Sequence, residues 1–347
     1  MEIWQKALSA SVILPEELGA RYGIDPQPLR AVVERYPMRI TPHTLSLIRE
    51  SGDPIWRQCV PDPAELADDR LSNDPLCEGR DSPVPGVLRR YPDRLVLMVS
   101  QTCATLCRFC MRKRLVTGVG VSPSNISLEP ILNYIGRTSE IRDVILSGGE
   151  PLLLVDDVLE DLLCRLRRMP HVEILRINTR VPATLPERVT DRLCRILKRH
   201  HPLYVTTHFN HPSEITDPSK EACKRLADAG LPLGNQTVLL KGVNDDLGVM
   251  KRLMQQLLIL RIRPYYLHQT DPVQGTGHFR TPIERGLEIM AGLRGHTSGL
   301  ANPYYMVDLP GGKGKVPILP EGVRRQGKTL FLRSYLGEFV EYKDPEP

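Results

Sequence analysis

The sequence predicts an α/β protein, an incomplete TIM-like parallel (β/α)6 barrel preceded by a helical region and followed by a short C-terminal extension. Two observations carry that expectation. From about residue 95 onward, short runs rich in β-branched residues alternate with helical patterns, as repeated βα units require. Polar motifs recur directly after the strand-like runs, at the rim where barrels of this kind carry their chemistry. A chain of 347 residues, 41% of them hydrophobic, can bury a core of that size.

The first 90 residues read as short helices and proline-rich connections, from EELGARYG to DSPVPGVLRRYPDR. The candidate strands are LVLMV (95–99), DVILS (143–147), EILRINT (173–179), LYVTTHF (203–209), QTVLL (236–240) and RPYYL (263–267). Between them VLEDLLCRLRRM (158–169), VTDRLCRILKRH (189–200) and KEACKRLADAG (220–230) repeat apolar residues at three and four spacing, and glycine closes the last. Beyond residue 300, two short strands flank a glycine-rich loop, PGGKGKVP. The chain thus divides into a helical region (1–90), a barrel core (91–310) and a C-terminal segment (311–347). The polar clusters are the cysteine run, SGGEP (147–151), NTR (178–180), HFNH (208–211) and HQTD (268–271). All follow strand ends, so they converge on one rim.

A net charge of +5, from 46 basic and 41 acidic residues, is mild, and aromatic residues make up only 5%. The MRKRL run is short and has no RNA-binding signature near it, so small anionic molecules suit it better than nucleic acid. Apolar runs such as LVLMV are too short to span a bilayer, and MEIWQKALSASVILPEE lacks the basic start and apolar centre of a signal peptide. The expectation is a cytoplasmic protein, away from membranes, with reduced cysteines.

The stretch QTCATLCRFCMRKRL brings Cys103, Cys107 and Cys110 within eight positions. A structural zinc site closes a tetrahedron with four Cys or His ligands, and no fourth is evident. Cys164, Cys194 and Cys223 fall in helical patterns, as small buried hydrophobes do, while Cys59 and Cys77 stand singly. An iron–sulfur cubane on three thiolates leaves one iron open to a reactant. Three cysteines close together by accident, or zinc completed by a distant histidine, are the competing readings. The CxxxCxxC spacing directly after a strand resembles the radical S-adenosylmethionine superfamily, whose open iron is chelated by the methionine part of the cofactor. SGGEP adds to the likeness, because in that superfamily a GGE-like stretch on the second strand presents backbone to the cofactor's amino group. Taken alone, Gly148 and Gly149 also suit a plain turn. Taken alone, PGGKGKVP is either an exposed loop or a lysine held free for Schiff-base chemistry. It does not match a nucleotide P-loop.

DSPVPG with RRYPDR, the cysteine triad, DVILSGGE, THFNHPSEIT, PLGNQTVLLKGVND, RPYYLHQTD, HFRTPIERGLEIMAGLRGHTSG and VDLPGGKGKVP resemble, in this order, the lysine 2,3-aminomutase family. The resemblance covers most of the chain and implies a barrel of the radical S-adenosylmethionine type. It implies a [4Fe-4S] cluster on Cys103, Cys107 and Cys110, and pyridoxal 5'-phosphate on Lys315 with its phosphate at Arg90 and Arg94. S-adenosyl-L-methionine is implied at His208, Gln236 and the backbone of Gly148, Gly149 and Glu150. A substrate carboxylate is implied at Arg112, and a substrate ε-ammonium between Asp271 and Asp308. Two aspartates at one rim need a cation to offset their repulsion, although either alone suits a turn or a helix cap equally well.

The activity so implied is an isomerase reaction, interconversion of L-lysine and β-lysine by radical 1,2-amino migration, with an amino acid as substrate and flavodoxin or ferredoxin as electron donor. The same chemistry on arginine, ornithine or glutamate, or β-lysine supply for elongation factor P modification, is the alternative. A non-catalytic iron–sulfur carrier or sensor would have no use for an open iron, Lys315 or the two aspartates. The chain departs from the family in two places. Lys313 stands where glycine is usual, which puts a second lysine in the loop. The cysteine-rich zinc-binding extension of longer members does not follow Pro347, and Asp246 stands where they place a further zinc cysteine. Zinc-linked assembly is therefore not expected, and self-association of another kind is left open.

Overall fold

The computed structural model describes residues 1–67, 71–116, 127–319, 322–327 and 329–342. Its centre is a nine-stranded sheet whose strands lie in chain order: β1 (Val87–Tyr91), β2 (Arg94–Ser100), β3 (Asp143–Gly148), β4 (Ile174–Asn178), β5 (Leu203–Thr207), β6 (Leu233–Leu239), β7 (Ile262–Gln269), β8 (Tyr304–Asp308) and β9 (Lys315–Pro317). From β2 to β8 every neighbour pair is parallel. Only the two edge strands, β1 and β9, run antiparallel to their neighbours. The six strands expected from the β-branched runs are β2 to β7. A seventh parallel strand, β8, joins them from the tail, and with β9 it flanks the glycine-rich loop as expected.

Parallel strands covered on both faces read as continuous apolar runs. In β2, Leu95, Leu97, Met98, Val99 and Ser100 are all buried. The covering helices present the expected stripes. Leu159, Leu162, Leu163 and Leu166 are buried on Asp156–Arg167, and Leu193, Cys194, Ile196 and Leu197 on Asp191–Lys198. Asp217–Asp228 buries Ala222, Cys223 and Leu226. Thr190 and Thr216 cap the last two helices by accepting the N–H of Leu193 and of Ser219. Cys194 and Cys223 are thus core residues, and Cys164 is half-buried.

Before the sheet, five short helices span Ile3–Ser9, Pro15–Tyr22, Gln27–Arg35, Pro42–Ser46 and Pro54–Cys59, most with proline in the first turn, where its missing N–H costs nothing. They enclose a core of their own around Leu18, Val32, Met38 and Ile40. This region grips the cysteine loop. The N–H groups of Leu106 and Arg108 donate to the carbonyls of Arg39 and Gln58 at 2.9 Å each. The buried Arg108 donates to both Glu65 oxygens, 2.8 and 2.6 Å, and to the Pro37 carbonyl, and Lys113 joins Glu65 at 2.6 Å. After β9, strands β10 (Val323–Gln326), β11 (Thr329–Arg333) and β12 (Phe339–Tyr342) form a small antiparallel sheet.

Burial alone would raise the Glu65 pKa, but Arg108 and Lys113 outweigh it and hold the carboxyl below its ordinary value. Replacing one partner of such a buried set typically costs about 3–5 kcal/mol. Glu65→Gln is therefore expected to lower the chemical denaturation midpoint strongly, and a midpoint equal to the parent's would show that the pair does not hold the cysteine loop to the helical region.

Candidate active site

The parallel register puts the C-terminal ends of β2 to β8 on one side, and the motifs expected there line a common cavity of about 240 Å³. The loop after β2 supplies Cys103, Cys107, Cys110 and Arg112, and the end of β3 supplies Ser147 to Glu150. Asn178 to Arg180 follow β4, His208 follows β5, Gln236 lies on β6, and His268 to Asp271 close β7. Asp308 from β8 and Lys315 from β9 complete the wall.

The cysteine loop is seated by backbone. Gly149 and Glu150 donate their N–H groups to the carbonyls of Ser100 and Thr102 at 2.6 and 2.7 Å. A Cβ on Gly148, whose φ is +121°, would lie 2.4 Å from the Ser100 carbonyl oxygen, and one on Gly149 would lie 2.3 Å from that of Thr102. The close approach that demands glycine is thus to the neighbouring strand end. The Glu150 carboxylate turns inward, accepting from the Thr179 hydroxyl at 2.7 Å and the Arg180 N–H at 2.9 Å.

Burial, reinforced by the neighbouring cysteines, pushes the Cys103 thiol well above its ordinary pKa and Cys110 up to about 11. A metal cation coordinated by thiols so placed would deprotonate them. Among the described residues no three His, Cys, Asp or Glu side chains converge as one metal ion would require. All three cysteines line the cavity. His208 Nε2 is buried in the wall without a partner, and burial followed by the Arg180 charge pushes the ring down to about 3, so it is neutral. Asp308 Oδ1 is likewise buried and unpaired. Both are free to meet a bound group.

The charged end holds one lysine and two aspartates. Asp308 and Lys315 are directly opposed in the β8–β9 ladder, and their side chains form an ion pair. His268 Nδ1 lies 3.8 Å from Asp308 and burial keeps its ring neutral. Burial, then the neighbouring Asp308, pushes the Asp271 pKa up to about 7. Lys313 is not among the residues lining the cavity.

Some expected residues sit elsewhere or are already engaged. Arg90 and Arg94 do not line the cavity. Arg90 donates to the Leu76 carbonyl at 2.7 Å and to Asp81, and Arg94 stacks 4.2 Å from the Tyr91 ring centre. Tyr91 links that edge to the cavity, its hydroxyl accepting the Lys315 N–H at 2.9 Å. Arg112 presents Nε and Nη2 to Glu78 at 3.0 and 2.8 Å, which leaves Nη1 toward Ser147 Oγ at 3.4 Å. Glu78 has no role in the sequence-based expectation. Arg180 and His268 were expected at the rim, but nothing in a single sequence marks what they touch.

The family model described as radical SAM superfamily matches residues 97–253, and that described as lysine-2,3-aminomutase matches residues 290–347. The L-lysine 2,3-aminomutase of Fusobacterium nucleatum is 47% identical over 318 residues, covering 90% of this chain and 75% of that protein. The chain belongs to the lysine 2,3-aminomutase family. The L-lysine 2,3-aminomutase of Acetoanaerobium sticklandii is 48% identical, covering 89% of this chain and 76% of its own. The glutamate 2,3-aminomutase of Clostridioides difficile is 44% identical, covering 91% and 76%. These relatives are isomerases, and radical SAM membership implies a [4Fe-4S] cluster and S-adenosylmethionine. Among the described residues no helix is long and apolar enough to cross a membrane.

In this aminomutase, Gly149→Ala should displace the cysteine loop, because the added atom meets backbone that cannot yield. Iron incorporation on anaerobic reconstitution is expected to fall well below the parent's while far-UV circular dichroism is kept. Gly299→Ala, whose added atom meets nothing within 4 Å, should load normally. Equal iron content in both would mean that the strand-end crossing does not govern the cysteine loop.

Proposed function

We propose that this protein is an L-lysine 2,3-aminomutase, with Cys103, Cys107 and Cys110 holding the cluster and Lys315 holding pyridoxal phosphate. When bound, the cluster and S-adenosylmethionine supply a hydrogen-abstracting radical, and pyridoxal phosphate supplies the imine across which the amino group migrates. Gly148 to Glu150, His208 and Gln236 position S-adenosylmethionine, with the neutral His208 Nε2 as a hydrogen-bonding group. Arg90 and Arg94, beside Tyr91 and the start of β9, serve the phosphate.

The observation that carries the substrate assignment is the pairing at the charged end. Asp271 and Asp308 line one cavity, and Lys315 pairs with Asp308 while its charge also favours the ionised form of Asp271. If Lys315 held the cofactor it would no longer be a free ammonium beside Asp308, and the substrate's ε-ammonium would take that place. Arg112 meets the substrate carboxylate through the Nη1 edge that Glu78 leaves open. A glutamate side chain would instead bring a third carboxylate to Asp271 and Asp308, so the relative acting on glutamate is not the better guide. Ala104, Phe109, Met111 and Val238 in the same wall keep water and stray hydrogen donors away.

The direct test is anaerobic incubation of reconstituted protein with S-adenosylmethionine, pyridoxal phosphate, dithionite and, in turn, lysine, arginine, ornithine, glutamate and norleucine. Lysine is expected to give β-lysine, and norleucine, which lacks the ammonium, to turn over poorly. Truncating one partner of a desolvated charge pair costs about 2–5 kcal/mol, so Asp308→Asn should reduce kcat/KM for lysine at least ~30-fold. Faster turnover of glutamate, or unchanged lysine kinetics in that variant, would sink the assignment.

Asp271 adds a pH dependence. Its raised pKa, about 7, leaves it protonated and neutral at lower pH, where it cannot attract an ammonium. The pH profile of kcat/KM, which reports groups of the free enzyme, should fall as pH drops below about 7. Asp271→Asn should lower kcat/KM and flatten that limb. A limb unchanged in the variant would assign it to another group.

A further inference from the structure

Arg180 lies two residues past β4, directly after Thr179, and three separate contacts fix its buried side chain. Nη2 donates to Glu214 Oε1 and to Gln58 Oε1, both at 2.6 Å, and the guanidinium carbon lies 5.1 Å from the Phe109 ring centre. Glu214 is itself pinned, its Oε2 accepting the N–H groups of Asn210 and His211 at 2.6 and 2.7 Å. With the guanidinium so held, Nη1 points at Cys107 Sγ, 2.8 Å away.

We infer that Arg180 is a positioning residue for the iron–sulfur cluster, and that with Glu214 it sets the cluster's reduction potential. The inference rests on the reading that Cys103, Cys107 and Cys110 hold the cluster. Reduction by one electron, supplied by dithionite in the test below, increases the negative charge on the cluster and its sulfurs. A fixed cationic donor on one sulfur stabilises that electron-rich form more than the oxidised form, so the potential rises. Glu214, on the far side of the guanidinium, opposes the effect at longer range. Removing the two charges must therefore move the potential in opposite directions, which a merely structural ion pair would not do.

The experiment is an EPR-monitored dithionite titration of anaerobically reconstituted protein without S-adenosylmethionine, with iron and sulfide content measured for every sample. Arg180→Gln leaves Glu214 uncompensated and should shift the midpoint to more negative potential, and Arg180→Lys should recover part of the shift. Glu214→Gln leaves Arg180 uncompensated and should shift the midpoint to more positive potential. Shifts of the same sign, or parent-like midpoints in loaded Arg180→Gln and Glu214→Gln, would overturn the inference. If Arg180→Gln does not load, Glu214→Gln decides alone, because it keeps the donor on Cys107. A parent protein that takes up no cluster would instead overturn the assignment of the triad itself.

Discussion

The backbones at the ends of β2 and β3 meet with no room for a side chain between them. Gly148 and Gly149 exist to allow that crossing, and the N–H groups of Gly149 and Glu150 bind the first residues of the cysteine loop. Everything at the rim is aligned from this point. Glu150, turned inward by the crossing, receives the Arg180 N–H and so sets where that arginine leaves β4. Arg180 then reaches Cys107, and the helical region holds the other side of the loop through Arg39, Gln58 and Glu65. The cysteine loop, with little regular structure of its own, is clamped from both sides.

Several buried charges at the rim are paired within the protein. Arg112 has Glu78, which Arg114 also approaches, Arg180 has Glu214, and Asp308 has Lys315. Unpaired charges in such surroundings would be costly. A cavity built this way can receive a zwitterionic amino acid without leaving any ion stranded, because every charge the ligand brings replaces or shares one already present. Among the described residues that line the cavity, His208 Nε2, Asp308 Oδ1 and Arg180 Nε are buried without a hydrogen-bond partner.

Much of this was legible in the sequence. The six central strands stand out because burial on both faces leaves continuous β-branched runs, and the motifs after them converge because parallel strands share a direction. β1 was not legible, since Arg89 and Arg90 break any apolar pattern and its pairing with β2 comes from a tight turn. The sheet of β10 to β12 escaped for a similar reason, as it buries no residue fully on either face. At the site, strand-end spacing indicated the cysteines, His208 and Asp271 as rim residues, and the family resemblance added Gln236, Asp308 and Lys315. Glu78 and the contact of Arg180 with Cys107 were hidden because each joins segments far apart in the chain. Arg90 and Arg94 were associated with the site by motif, but the structure puts Tyr91 between Arg94 and the lysine.

The β8–β9 hairpin has one more consequence. Its ladder pairs Asp308 with Lys315, Val307 with Val316 and Met306 with Pro317, and the Leu309 N–H closes the turn on the Gly314 carbonyl at 2.9 Å. Lys313 lies inside that turn, before the second strand begins. Two chemically identical amines two positions apart are thus told apart by counting peptide units around a bend. The glycines supply a bend of fixed length, and which amine faces the aspartate is decided by register rather than by any property of the lysines themselves.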